Sequence, residues 1–225
     1  MQILILNGWE LFCIAFAIVL LTSFVMGLLA KNFYTFKNTR HKFSIMELQF
    51  PASNTEIATL INGIYLLPQN EADKAVRALK AQLWVDFLFM PAAYGAIFLL
   101  CMQFSWKMPT YGTNFFCVVA WLQVIPWCCD ITENIFLLSQ VKNNSRPLKK
   151  SFFIFYKWMV ITKWGVALFG LVCALSAALY FWLSGHYTPS SLYYLAIILA
   201  ETVLILVLMF IVSKVLNAKL QSATP

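Results

Sequence analysis

Residues 115–138 read FFCVVAWLQVIPWCCDITENIFLL. A helix of this length crosses a hydrocarbon layer about 30 Å thick, since roughly 20 residues at about 1.5 Å each suffice. Yet the stretch contains Gln123, Asp130, Glu133 and Asn134. In a membrane span such residues are costly and must turn toward protein. In a soluble helix, the surrounding Phe, Trp, Val, Ile and Leu would have no core large enough to cover them. The rest of the chain decides between the two.

Of 225 residues, 61% are hydrophobic and only 11% are charged. Soluble domains carry about 25% charged residues, so a water-facing surface cannot be built from this composition. Four further apolar runs have spanning length, at 6–30, 83–104, 159–183 and 192–212. The expected architecture is an all-α polytopic transmembrane helical bundle of five spans, a single membrane domain over 1–225. The first run does not read as a cleavable leader: it lacks a basic start, carries Glu10, and is followed by Lys31 and Lys37.

Cations test the count independently, because Lys and Arg accumulate in cytoplasmic loops. Lys31, Lys37, Arg40, Lys42, Lys74, Arg77 and Lys80 lie between the first and second runs. Lys142, Arg146, Lys149, Lys150 and Lys157 lie between the third and fourth, with Lys163 just inside the fourth. Lys214 and Lys219 follow the fifth, and Lys107 alone falls in an opposite link. Fifteen of the 16 basic residues thus fall on one side. Five spans satisfy this with the N-terminus outside and the C-terminus cytoplasmic. The net charge of +7 therefore reflects topology and points to no nucleic-acid partner. The short loops suit a multi-pass protein of a bacterial inner membrane.

The loop over 32–82 is the one sizeable extramembrane segment. Its start, FYTFKNTRHKF, mixes aromatic and basic residues as headgroup-level anchors do. Ser53 and Glu56 have capping-box spacing, and Ile57, Leu60, Ile61 and Ile64 then recur at helical spacing. Pro68 ends that helix, and Asn70 with Asp73 suggests a cap for a second one. Its face of Ala72, Ala75, Val76, Leu79 and Leu83 runs on into the second span.

Within the lipid, Asp130, Glu133 and Asn134 stand at i, i+3 and i+4, on one helix face, with Gln123 seven residues earlier. Asp86, Lys163 and Glu201 come from neighbouring spans at the cytoplasmic half or the midplane. The expected buried polar set is Asp86, Gln123, Asp130, Glu133, Asn134, Lys163 and Glu201. Carboxylates one turn apart need a proton or a cation for compensation, and Lys163 is the natural one. Pro91 and Pro126 bend their helices beside these acids. Trp121 and Trp127 read as packing residues.

The motifs for most membrane chemistries are missing. His41 and His186 are the only histidines, on opposite sides, so no bis-histidine haem is expected. HExxH, phosphate-loop, GxGxxG and paired DxxxD or DxxDG signatures are absent, and the six cysteines sit in apolar runs. No catalytic residue, metal or cofactor is expected. Three readings of the acids stay open: a hydrogen-bonded plug fixing helix register, a proton or ion site, and a catalytic pair. The leading expectation is a non-enzymatic bundle that binds membrane lipids, a membrane-protein partner or a second copy. A proton- or ion-coupled transporter or small channel is the alternative.

FSIMEL at 43–48, Asp86-Phe87-Leu88-Phe89 with Pro91, and DITEN at 130–134 together resemble small bacterial inner-membrane proteins that carry an acidic D-x-x-E-N transmembrane helix. That family has no assigned activity. The resemblance implies the bundle architecture and draws attention to Asp86, Asp130, Glu133 and Asn134.

Overall fold

The computed structural model describes residues 8–142 and 145–222, with side chains through residue 214. Residues 6 and 7 of the first expected span and the side chain of Lys219 lie outside the described residues. The chain is all-α, 81% helical, with five helices long and apolar enough to cross a membrane.

Helix α1 (Gly8–Leu29) ends in a 3-10 turn, and α4 (Gln69–Ser105) is the second span. Two helices, α5 (Thr110–Leu122) and α6 (Val124–Gln140), share the third, while α7 (Lys150–Leu183) and α8 (Pro189–Ser222) complete the set. Helix α4 is the hub, packing against α1, α5, α6 and α7. It runs unbroken from Gln69 through the stretch 83–104, because its Ala72, Ala75, Leu79 and Leu83 are all buried and give the chain no reason to break. Helix α8 packs mainly along α1 at the periphery.

The stretch 115–138 is interrupted at Gln123. Pro126 has no N–H to give the Leu122 carbonyl, so the ladder is cut one turn before the proline. Gln123 is the hinge and remains buried.

Between α1 and α4 the chain builds a cap. FYTFKNTRHKF forms an antiparallel hairpin of β1 (Tyr34–Phe36) and β2 (Arg40–Lys42) in register Thr35↔His41. Strands of three residues are too short for alternation to be read in sequence. Phe33 and Phe43 flank the hairpin, stack at 5.4 Å and are fully buried. Helix α2 (Ile45–Gln49) follows, and here lies a capping box: Glu47 Oε1 accepts from the Ser44 N–H at 2.8 Å. The box expected at Ser53 and Glu56 is not formed. Helix α3 (Glu56–Ile64) has Thr55 at its N-cap, and the Glu56 carboxylate reaches back to the Ala52 N–H instead. Asn70 is likewise no cap: Pro68 holds that position and α4 starts at Gln69.

Ile57, Leu60, Ile61 and Ile64 on α3 are buried against Leu79, Leu83, Leu137, Tyr156 and Val160, so the cap closes one end of the bundle. The loop after α6 joins it there. Asn62 Nδ2 donates to the Ser145 carbonyl at 2.9 Å and Asn62 Oδ1 accepts from the Ser145 N–H at 2.8 Å. Asn54 Nδ2 donates to the Leu148 carbonyl, whose N–H donates back to the Asn54 carbonyl. The two most basic loops of the chain therefore meet at one end.

A second apolar cluster, of Phe12, Ala96, Phe104, Phe116, Val119, Ala174 and their neighbours, fills the opposite end. Between the two clusters lie Asp86 and Tyr94 on α4, Asp130, Glu133 and Asn134 on α6, and Lys163 on α7.

Candidate functional site

Position along the helices explains the convergence. Asp130, Glu133 and Asn134 share the inward face of α6, and Lys163 lies one turn beyond the apolar Val160 on α7. Lys163 Nζ stands 2.9 Å from Asp130 Oδ1 and 2.6 Å from Glu133 Oε2. From α4, the Tyr94 hydroxyl donates to Asp130 Oδ2 at 2.7 Å. Asn134 Nδ2 donates to Asp86 Oδ2 at 2.7 Å and to the Leu83 carbonyl at 3.3 Å. Five of the seven expected residues thus form one group, extended by Tyr94.

The other two stand apart. Gln123 Nε2 donates to the Val119 and Val166 carbonyls at 3.3 and 3.5 Å, tying the α5–α6 hinge to α7. That approach requires Gly170, where a Cβ would sit 3.1 Å from Ile97 Cγ2 and closer still to the Gln123 amide. Glu201 lies on α8 with Oε2 buried and unbonded, and takes no part in the hydrogen bonds of the group. The peripheral position of α8 along α1 explains why equal depth did not bring it in. Trp121 and Trp127 also differ from expectation. They are 65% and 39% exposed and face outward, where a membrane protein meets acyl chains.

The charges do not balance. Three carboxylates face one ammonium, and Asp86 forms no ion pair among the described residues. Glu133 Oε1 and Asn134 Oδ1 are buried without a hydrogen-bond partner. Buried acceptors of this kind are uncommon in folded proteins and call for a proton, a water or a ligand nearby.

Two cavities approach the group from different sides. One, of about 170 Å³, is lined by Pro91, Tyr94, Gln123 and Trp127, at the places where both prolines loosen their helices. The other, of about 310 Å³, lies between α1, α2, α4 and α7 near the capped end. Met26, Gly27, Met46, Phe89 and Trp164 form its apolar walls, Ser23 adds a hydroxyl among them, and Asp86, Gln82 and Gln49 are its polar floor. Neither is lined by Asp130 or Glu133.

The chain matches no family model, no curated protein and no solved structure.

The larger cavity joins two stretches singled out in the sequence. FSIMEL supplies Ile45 and Met46, with Gln49 just beyond, and the DFLF segment supplies Asp86 and Phe89. Gln82 and Gln49 escaped the sequence reading. Gln82 had a signal, since it stands four residues before Asp86 and shares its helix face. Gln49 had none, because only the short α2 brings it there. Both are buried, and the Oε1 of each has no partner. Among the described residues no group of His, Cys, Asp and Glu has a geometry for holding a metal ion.

Proposed function

We propose that this chain is a non-enzymatic lipid-binding bundle of a bacterial inner membrane, with its N-terminus outside and the capped end in the cytoplasm. The observation that carries the reading is the cavity bounded by α1, α2, α4 and α7. It combines two features of an amphiphile site, apolar walls and few polar groups, and it lies beside the cap. Gln49 and Gln82 line it, and the Oε1 of each is buried without a hydrogen-bond partner. The cytoplasmic assignment is supported by the meeting of both basic loops at that end.

The acids favour this over catalysis. Lys163 already engages Asp130 and Glu133, and the cavity receives only Asp86. A carboxylate pair acting on a lipid needs both members at the substrate. A transport path through Asp130, Glu133 and Glu201 is disfavoured because Glu201 stands on the peripheral helix.

Photo-crosslinking tests the reading. A phospholipid with a diazirine near the top of its acyl chain should label the wall formed by Met26, Gly27, Phe89 and Trp164. Adducts spread evenly around all outward helix faces would count decisively against a defined lipid site.

A further inference from the structure

Resting on that reading, we propose that the cavity selects lipids whose headgroup ends in a primary ammonium, with Asp86 as its counter-charge. Three features point to this chemistry. First, the polar floor carries one charged residue, the Asp86 carboxylate, and no lining residue is a cation. Second, Asp86 Oδ2 is held by Asn134 while Oδ1 has no hydrogen-bond partner among the described residues, so one oxygen is fixed and the other is open. Third, Lys163 is spent on Asp130 and Glu133, which leaves the buried group short of positive charge.

A bound ammonium supplies what is missing. It brings three N–H donors, one of them for the free Asp86 oxygen, beside the lining amides of Gln49 and Gln82. Either orientation of the two amides leaves a polar atom for the headgroup, and the carboxylate alone sets the preference for a cation. A quaternary ammonium has no N–H to give. An anionic headgroup meets Asp86 with repulsion. The volume of about 310 Å³ equals roughly ten water volumes at about 30 Å³ each. That accommodates a headgroup and the start of a chain, with the rest of the lipid lying along α1 and α4.

The test uses the full chain, purified in mild detergent, with native mass spectrometry of bound lipid. Phosphatidylethanolamine, phosphatidylcholine and phosphatidylglycerol with identical chains are offered in competition. The ethanolamine lipid should be retained about tenfold over the choline lipid, a difference of about 1.4 kcal/mol. Asp86→Asn should erase the preference while leaving lipid bound, and Gln82→Leu should weaken it. Glycerophosphoethanolamine, which has the headgroup and no chains, should fail to displace bound lipid. Displacement by it would overturn the lipid as source. Equal retention of the three lipids by the unsubstituted protein overturns ammonium selection and leaves lipid binding standing. Retention of no lipid at all overturns both. The headgroup series needs no variant, so a poorly folding Asp86→Asn protein leaves the proposal falsifiable.

Discussion

Lys163 Nζ lies 2.6 Å from Glu133 Oε2, and both side chains are sealed within the bundle, at 3% and 0% exposure. Such a pair adds little to stability relative to a well-packed apolar replacement of both partners. Removing one partner is different, because the other charge is left without compensation, at a cost of about 3–5 kcal/mol. Lys163→Met should therefore lower the unfolding midpoint in detergent far more than Lys157→Met, whose side chain is exposed. Adding Glu133→Gln to Lys163→Met should recover part of the loss, since it removes one of the stranded charges. Strict additivity of the two substitutions would show that they do not act through each other.

Much of this network is legible in the sequence. The i, i+3, i+4 spacing put Asp130, Glu133 and Asn134 on one face, and the cost of charge in lipid required Lys163 and Asp86 to turn toward them. What depth alone could not say is which helices touch. Glu201 has a suitable depth and the wrong neighbour, because α8 packs along α1. Tyr94 was hidden as an aromatic in an apolar run, although it lies one turn past Pro91 on the hub helix. The cap was the least legible part. Its two strands have three residues each, and its α2 has five. At that length neither periodicity has room to show, and tertiary packing on α3 decides the conformation.

Tyr156 links this cap to the membrane helices. Its ring is fully buried on α7, and its hydroxyl donates to the Leu48 carbonyl on α2 at 3.0 Å. Tyr156→Phe keeps the ring and strands a buried carbonyl, which costs about 1–3 kcal/mol. The loss should fall on the cap, so amide exchange in residues 45–49 should accelerate while the centre of α7 stays protected. Unchanged exchange there would mean that α2 is held by its other contacts.

Gly63 is where the hairpin rests on α3. A Cβ at this position would lie 2.6 Å from the Phe36 carbonyl oxygen and 3.2 Å from its nitrogen, both backbone atoms that cannot swing aside. Alanine gains about 1 kcal/mol of helix propensity over glycine, but overpacking costs about 1–3 kcal/mol. The contact with backbone places this site at the upper end, so Gly63→Ala should destabilise the cap. It should also weaken the bond from Thr35 Oγ1 to the Leu60 carbonyl, now 2.8 Å. Trypsin should then cut faster at Lys37 and Arg40. Gly27→Ala and Gly165→Ala, with nothing within 4 Å of the added carbon, are the controls. Equal sensitivity in all three would remove the hairpin contact as the cause.

Asn62 carries the last prediction, because its amide bonds both backbone groups of Ser145 across 83 residues of sequence. No other residue type of this length offers a donor and an acceptor in that geometry. Asn62→Asp loses the donor and brings a carboxylate against the Ser145 carbonyl; Asn62→Ala loses both bonds and leaves the partly buried backbone of Ser145 unpaired. Each should cost about 1–3 kcal/mol. The same contact fixes topology, since loops joined by hydrogen bonds cannot lie on opposite faces of a membrane. In a cysteine-free background, Lys37→Cys and Arg146→Cys should both react with an impermeant maleimide in inverted vesicles and neither in intact cells. Labelling of one from each side would separate the loops, and with them the shared cap and the cavity it closes.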